Sequence, residues 1–218
     1  MTRLAPSSRL APAPALALSV AGAASLLSAC AGLHADRASP QAYTLRYMAP
    51  ADASGAPATA HPLVAGQGAP ALQVLHPLAA PGLESDSIAV LREGQKLDGY
   101  VGARWAGPLP DLVEAMAVDA LRARGLYRSV QGDAAPFTSE QVLQLELNRC
   151  AAVYDGANAP TVQVRIVASF GRRDDRRLLA TQVLEASAAA ASNRLGAVAA
   201  AYEQALNAAL AQLAPPQE

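Results

Sequence analysis

The stretch Val162–Phe170, VQVRIVASF, decides the fold. Apolar side chains occupy every second position, and the positions between them are mostly polar. A period of two is typical of a β-strand that buries one face and leaves the other in water. The stretch therefore predicts one strand of an antiparallel sheet that is covered on a single face.

The neighbouring segments repeat this pattern and predict an antiparallel meander. Leu143–Leu147 alternates in the same way, and Leu178–Ala188 is apolar on both faces. Asp155–Asn158 and Arg172–Arg177 supply the two turns between these strands. The charged second turn is open to two interpretations, either a docking site or simply a solvated hairpin tip.

The first half of the chain predicts further short strands. They are Tyr43–Tyr47, Leu72–His76, Ser87–Leu91, Asp98–Gly102 and Tyr127–Val130. The polar loop Arg92–Lys96 contains a glycine and joins two of these strands, so that pair is predicted to form a β-hairpin.

Two segments carry the helical period. Apolar residues recur every three or four positions in Leu109–Arg124, which lies between prolines and Gly125. A second such pattern runs from Leu195 to Leu213, with Ser192 as the predicted N-cap. Its polar face has no cationic excess, so it should dock on the sheet and not on a membrane. These elements predict an α+β fold, a mostly antiparallel sheet with two helices packed on one face.

An apolar run near the N-terminus ends at Leu27-Ser28-Ala29-Cys30, which has the pattern of a bacterial lipobox. Arg3 and Arg9 precede the run, which is too short to span a bilayer. The boundaries predicted from it are a signal peptide over 1–29, a flexible tether over 30–42 from lipidated Cys30, and a folded body over 43–214 with an Ala/Pro-rich loop at 49–70. Ordinary secretion and an uncleaved anchor are the alternatives, but neither explains the cysteine.

Charge and cysteine content exclude several classes of function. The chain has 17 basic and 18 acidic residues, and without Arg3 and Arg9 the remainder carries a net charge of −3. Nucleic-acid binding usually needs a basic face, so that class is not favoured. With Cys30 acylated, Cys150 has no cysteine partner, and it is predicted to be a small buried apolar residue.

The sequence contains no recognisable motif for catalysis, cofactor binding or metal binding. A nucleophile elbow, a zinc-protease helix and a phosphate-binding glycine loop are absent, and the three histidines are scattered. The protein is therefore predicted not to be an enzyme. Trp105, the only tryptophan, follows Arg104. It is either an anchor for a partner or a structural wedge between hairpin and helix. Tyr100, Arg104 and Trp105 are together predicted to be docking residues.

Several segments together resemble a known family. They are Tyr43–Leu45, Leu72–Val74, Pro81–Val90, Tyr100–Pro110, the later meander and the final Ala/Leu-rich helix. In these the chain resembles the auxiliary lipoproteins of ABC-type transport systems, which include the lipoprotein of the paraquat-inducible, Mce-type intermembrane lipid transport system.

The resemblance implies a noncatalytic accessory component. Its partners would be a periplasmic Mce-type protein and an ABC permease and ATPase, and acyl chains such as palmitate would anchor it. The lack of an aspartate after Cys30, where Ala31 stands, favours the periplasmic face of the outer membrane. Assembly into a homo-oligomer is left open. The alternatives are a structural lipoprotein of another envelope assembly and, least favoured, a periplasmic enzyme.

Overall fold

The computed structural model describes residues 39–49, 68–92, 96–156 and 158–216. The predictions about Cys30, about the signal peptide and about most of the tether and of the 49–70 loop lie outside these ranges. The strands are β1 Gln41–Tyr43, β2 Ala71–Val74, β3 Leu78–Ala79, β4 Ser87–Arg92, β5 Lys96–Trp105, β6 Ser129–Gln131, β7 Gln141–Val153, β8 Thr161–Arg172 and β9 Leu178–Ala189. The helices in these ranges are α1 Leu109–Arg124 and α2 Leu195–Leu210.

The predicted meander is confirmed along one side of β7. β8 pairs with β7 in antiparallel register from Val153↔Thr161 to Gln141↔Arg172, and β9 pairs with β8 in the same manner. The alternating apolar side chains of β8 are buried, whereas the positions between them are exposed or half-buried. One face of this part of the sheet is therefore in the core and the other is open.

The other edge of β7 shows that the prediction of a mostly antiparallel sheet is wrong, because the sheet is mixed. Three short strands line this edge in succession, all parallel to β7: β2 at Leu72↔Gln141, β3 at Leu78↔Glu146 and β4 at Val90↔Ala152. β6 is parallel to β2, β5 is antiparallel to β4, and β1 is parallel to β5. Side-chain alternation reports which face a residue takes, and strand direction is set by pairings between distant segments.

Helix α1 has the predicted bounds, Leu109–Arg124. Pro108 and Pro110 stand at its start, where a missing amide hydrogen costs nothing, and Gly125 ends it with a left-handed φ of 63°. Its buried side chains include Val113, Met116 and Leu121, which follow the spacing seen in the sequence.

Helix α2 begins later than its predicted cap. The N-cap is Arg194, which makes no side-chain capping bond. The hydroxyl of Ser192 only accepts a 3.4 Å hydrogen bond from the Arg194 amide, so the predicted cap is wrong. The helix contacts β7, β8, β9 and α1. Helix α1 contacts β2, β6 and α2. The general prediction of an α+β fold with two helices is therefore confirmed.

The first strand is shorter and earlier than the predicted Tyr43–Tyr47, because β1 ends at Tyr43. Beyond it, side chains of α2 replace a neighbouring strand as hydrogen-bond partners. The Arg46 amide donates to the Glu203 carboxylate at 3.0 Å, and the Met48 amide donates to Asn207 Oδ1 at 2.8 Å. This segment therefore runs along a helix, which its alternating pattern does not reveal.

Candidate docking site

The outer edge of β5 is open for most of its length. β1 pairs only with Ala103–Trp105, and no described strand pairs with the outer side of residues 96–102. An uncovered strand edge presents a row of backbone donors and acceptors that another chain can pair with. The edge beside the predicted docking residues is therefore a candidate site for a partner strand.

A wide bulge interrupts this edge. Ser87 pairs with Arg104 but Ala89 pairs with Gly99, so residues 100–103 of β5 lie opposite the single residue Ile88. Gly102 takes a left-handed φ of 76°, which other residues rarely adopt. Bulges occur at sheet edges and re-aim side chains toward solvent.

Val101 stands at the top of this bulge and is 96% exposed. A lone exposed valine needs no explanation by itself. This one lies on an unpaired strand edge, however, between two predicted docking residues. The sequence interpretation missed it, although the glycines at 99 and 102 inside a strand were a signal for a bulge.

Tyr100 is half-buried and lies against a second tyrosine. Its hydroxyl is 2.8 Å from the Tyr154 hydroxyl, which in turn donates to Asn193 Oδ1 at 2.7 Å. The Arg92 guanidinium lies 4.5 Å from the centroid of the Tyr154 ring. Burial, followed by the hydrogen bond with Tyr100, raises the pKa of Tyr154 well above its usual value. The Tyr154 hydroxyl is therefore neutral at physiological pH, and its contact with Tyr100 joins the bulge to the segment after β7.

Arg104 is on the surface. Its Nη1 lies 3.1 Å from Asp86 Oδ2, and both side chains are about half exposed. Such surface pairs contribute little to stability because water screens them. The guanidinium therefore remains accessible to a partner.

Trp105 lies inside the core. It is 0% exposed and meets Tyr202 of α2 edge to face. Its indole Nε1 is buried without a hydrogen-bond partner among the described residues. The side chain is therefore part of the core. Of the three predicted docking residues, only Tyr100 and Arg104 reach the surface, and their docking role stays a prediction.

Cys150 lies on the buried side of β7 and is 0% exposed. Burial raises the pKa of its thiol to about 12. A neutral, inaccessible thiol is a small apolar side chain and not a nucleophile. This agrees with the sequence interpretation of Cys150.

The described residues also bear on metal sites and on membrane spans. No group of three His, Cys, Asp or Glu side chains there is arranged to hold a metal ion. No helix in the same ranges has both the length and the apolar character needed to cross a bilayer.

Comparison with known proteins places the fold. The chain is similar to the crystal structure of a Xanthomonas campestris protein from a family of unknown function, with 27% identity, a TM-score of 0.64, and coverage of 80% of this chain and 91% of that one. It is also similar to an uncharacterised protein of known structure, with 14% identity, a TM-score of 0.57, and coverage of 76% and 90%. No curated protein matches it. Residues 43–214 match the family described as the ABC-type transport auxiliary lipoprotein component, and the chain belongs to that family.

Proposed function

We propose that this protein is the lipid-anchored accessory subunit of an Mce-type ABC transport system that moves lipid between membranes. It acts as a noncatalytic docking partner at the periplasmic face of the outer membrane. The observation that carries the proposal is the open, bulged edge of β5 in a member of the auxiliary lipoprotein family.

The partner at this edge is an extended segment of the periplasmic Mce-type protein. A strand added to a sheet edge gains affinity from main-chain hydrogen bonds and specificity from side chains beside the edge. Val101 supplies an apolar contact and Arg104 supplies a charge for such a segment. Trp105 is buried and takes no part in this contact.

The anchor is acylated Cys30. The next residue is Ala31 and not an aspartate, which favours the outer membrane. A single acyl chain gives only reversible membrane binding, whereas two or more give stable anchoring. Changing Cys30→Ala should move the protein from the membrane to the soluble periplasmic fraction. Firm membrane association of that variant would contradict the anchor.

The docking edge is tested by capture from gently solubilised membranes. Wild-type protein should capture the Mce-type protein together with the ABC permease and ATPase, and Val101→Asp should reduce that capture about tenfold or more, because it places a carboxylate in the strand interface. Val183→Asp is the matched control, since Val183 is 50% exposed but lies on β9, away from the edge. The proposal fails if the wild type captures none of these partners, or if both variants capture equally well.

A further inference from the structure

One end of the sheet concentrates arginines in a protein that is otherwise slightly acidic. We call it the arginine end and define it as Arg128, residues 139–141 and residues 172–178. Residues 172–177, which are the last residue of β8 and the β8–β9 turn, hold four arginines and two aspartates. This segment lies where β7 begins, since Gln141 pairs with Arg172.

A groove of about 370 Å³ lies on this end, beside the β8–β9 turn. Four arginines line it, and Leu75, Val142 and Leu178 supply apolar surface. In the described part of the chain, neither the Arg176 nor the Arg177 guanidinium has a hydrogen-bond or ion-pair partner. Both side chains are exposed. They are available to an anion, unlike Arg173, whose guanidinium bonds to Gln73 and Ser139.

The acidic groups at this end are already engaged. Glu140 accepts from the Arg128 guanidinium at 2.6 Å. Asp174 accepts from the Asp175 amide, and Asp175 accepts from the Arg177 amide. Residues 172–177 carry four arginines against two aspartates, so this segment has a net charge of +2.

Large apolar side chains are exposed at the same end. Leu178 is 63% exposed and follows the paired arginines directly. Phe137 is 73% exposed and stands two residues before Ser139, which hydrogen-bonds Arg173. Basic side chains beside protruding aromatic and aliphatic ones are the combination that binds the headgroup and upper acyl region of a bilayer.

We propose that the arginine end rests on the surface of the anchoring membrane. Arg176 and Arg177 contact lipid phosphates, while Phe137 and Leu178 insert among the headgroups. Arginine suits this role because its planar guanidinium binds phosphate oxygens in pairs. This proposal rests on the lipid anchor of the proposed function but concerns a different surface from the docking edge.

The strand registers place the two surfaces at opposite ends of the sheet. The arginine end lies at the start of β7, whereas the β4–β5 hairpin tip lies beyond its last residues, since Leu91 pairs with Val153. At about 3.3 Å per residue, the 13-residue β7 separates the arginine end from the hairpin tip by roughly 40 Å, and the bulge opposite Ile88 is roughly 30 Å from the arginine end. Contact at one end would present the hairpin away from the membrane, toward the periplasm.

The chain between the anchor and β1 is long enough for this arrangement. Gln41 pairs with Ala103, which lies opposite Ile88 and therefore about level with Cys150 of β7. The arginine end is then roughly 25–30 Å away along the sheet. The eleven residues from Cys30 to Gln41 span at most about 35–40 Å when extended.

The test uses the acylated full-length protein in vesicles, with a fluorophore on one introduced cysteine. Acylated Cys30 and buried Cys150 do not react, so labelling is specific. A label at Phe137→Cys should be quenched by a lipid-phase quencher about threefold more than a label at Val101→Cys, in vesicles of phosphatidylcholine with phosphatidylglycerol. In protein that also carries Arg176→Glu and Arg177→Glu, quenching of the Phe137→Cys label should fall to the value measured for the Val101→Cys label.

Flotation of the vesicles before the measurement separates the two ways of failing. Protein that does not float contradicts the lipid anchor and overturns this proposal with it. Protein that floats but shows equal quenching at the two positions overturns the membrane contact and leaves the proposed docking edge unaffected. Persistence of the quenching in the charge-reversal variant also overturns the proposal, because the arginines would then have no part in the contact.

Discussion

Trp105 and Tyr202 meet edge to face, with ring centroids 5.1 Å apart and ring planes at 77°. The contact joins the end of β5 to the middle of α2, two segments far apart in the sequence. The Tyr202 hydroxyl also donates to the Ala89 carbonyl and accepts from the Ala152 amide at 2.7 Å. It thus links β4 to β7, where the parallel ladder is only two residue pairs long.

Removal of this hydroxyl should destabilise the fold. Tyr202→Phe leaves the Ala89 carbonyl and the Ala152 amide without this partner in the core. The expected loss in the free energy of unfolding is about 1–3 kcal/mol, the usual cost of an unsatisfied buried polar group. Urea unfolding followed by tryptophan fluorescence measures it. Tyr43→Phe is the control, since its hydroxyl only meets Gln41 at the surface, and an equal urea midpoint for the two variants would contradict the bridging role.

Stability should fall at alkaline pH because of Cys150. Burial raises the pKa of its folded-state thiol from the ordinary 9.0 to about 12, so the unfolded chain loses the proton first. The stabilisation is complete below about pH 9 and decreases as the pH rises toward 12. The free energy of unfolding should drop by about 1 kcal/mol between pH 9 and 10.

Urea midpoints at pH 8, 9 and 10 test this dependence. Cys150→Ala should make the decrease between pH 9 and 10 clearly less steep than in the wild type. Buried tyrosines with raised pKa values, such as Tyr127 at about 12, begin to lose their own stabilisation near the unfolded-state value of 10.0, so they add a smaller slope between pH 9 and 10 and a larger one above it. An unchanged slope in the alanine variant would assign the effect to other groups.

Arg176 occupies a backbone conformation that favours glycine, with a φ of 55°. Arg176→Gly should therefore raise the free energy of unfolding by about 0.5–1 kcal/mol, because the left-handed region strains residues with a Cβ. Arg177→Gly serves as the control, since its φ is not positive and no such gain is expected. Thermal unfolding distinguishes the two, and a destabilised Arg176→Gly protein would contradict the strain.

Gln212 protects the outer edge of β9. Its side-chain amide accepts from the Glu185 backbone amide at 3.3 Å and donates to the Glu185 carbonyl at 2.7 Å. Gln212→Ala should speed hydrogen exchange at the Glu185 amide and cost about 0.5–1.5 kcal/mol. Gln204→Ala on the exposed side of α2 should leave that amide protected, and identical exchange in both variants would show that the edge is protected in another manner.

Local periodicity predicted the elements that depend on local interactions. α1 has its predicted bounds, because its apolar spacing, its prolines and Gly125 all act within one segment. β8 and the turn after it also agree with prediction. The predicted cap at Ser192 was wrong because α2 starts later, with Arg194 as its N-cap. The predicted strand at Tyr43–Tyr47 was wrong because side chains of α2, more than a hundred residues away in the sequence, bind the backbone there.

Part of the candidate docking site was also predicted from the local sequence. Tyr100 and Arg104 were singled out and do reach the surface, whereas Trp105 is buried because α2 supplies Tyr202 as its neighbour. Val101 was missed because its exposure results from a register shift between β4 and β5. A register shift is a property of a pair of strands, and one strand alone does not contain it.

The sequence by itself determined which side chains are buried in β7, β8 and the two helices, and it determined the family. Hydrophobic periodicity is sufficient for the first, because each residue's face follows from its place in one element. Only the tertiary structure decided that β2, β3 and β4 lie in succession and parallel along β7, which leaves the β5 edge open and collects the arginines at the opposite end. That placement depends on which distant backbone groups pair with each other, and an alternating pattern is compatible with many such pairings.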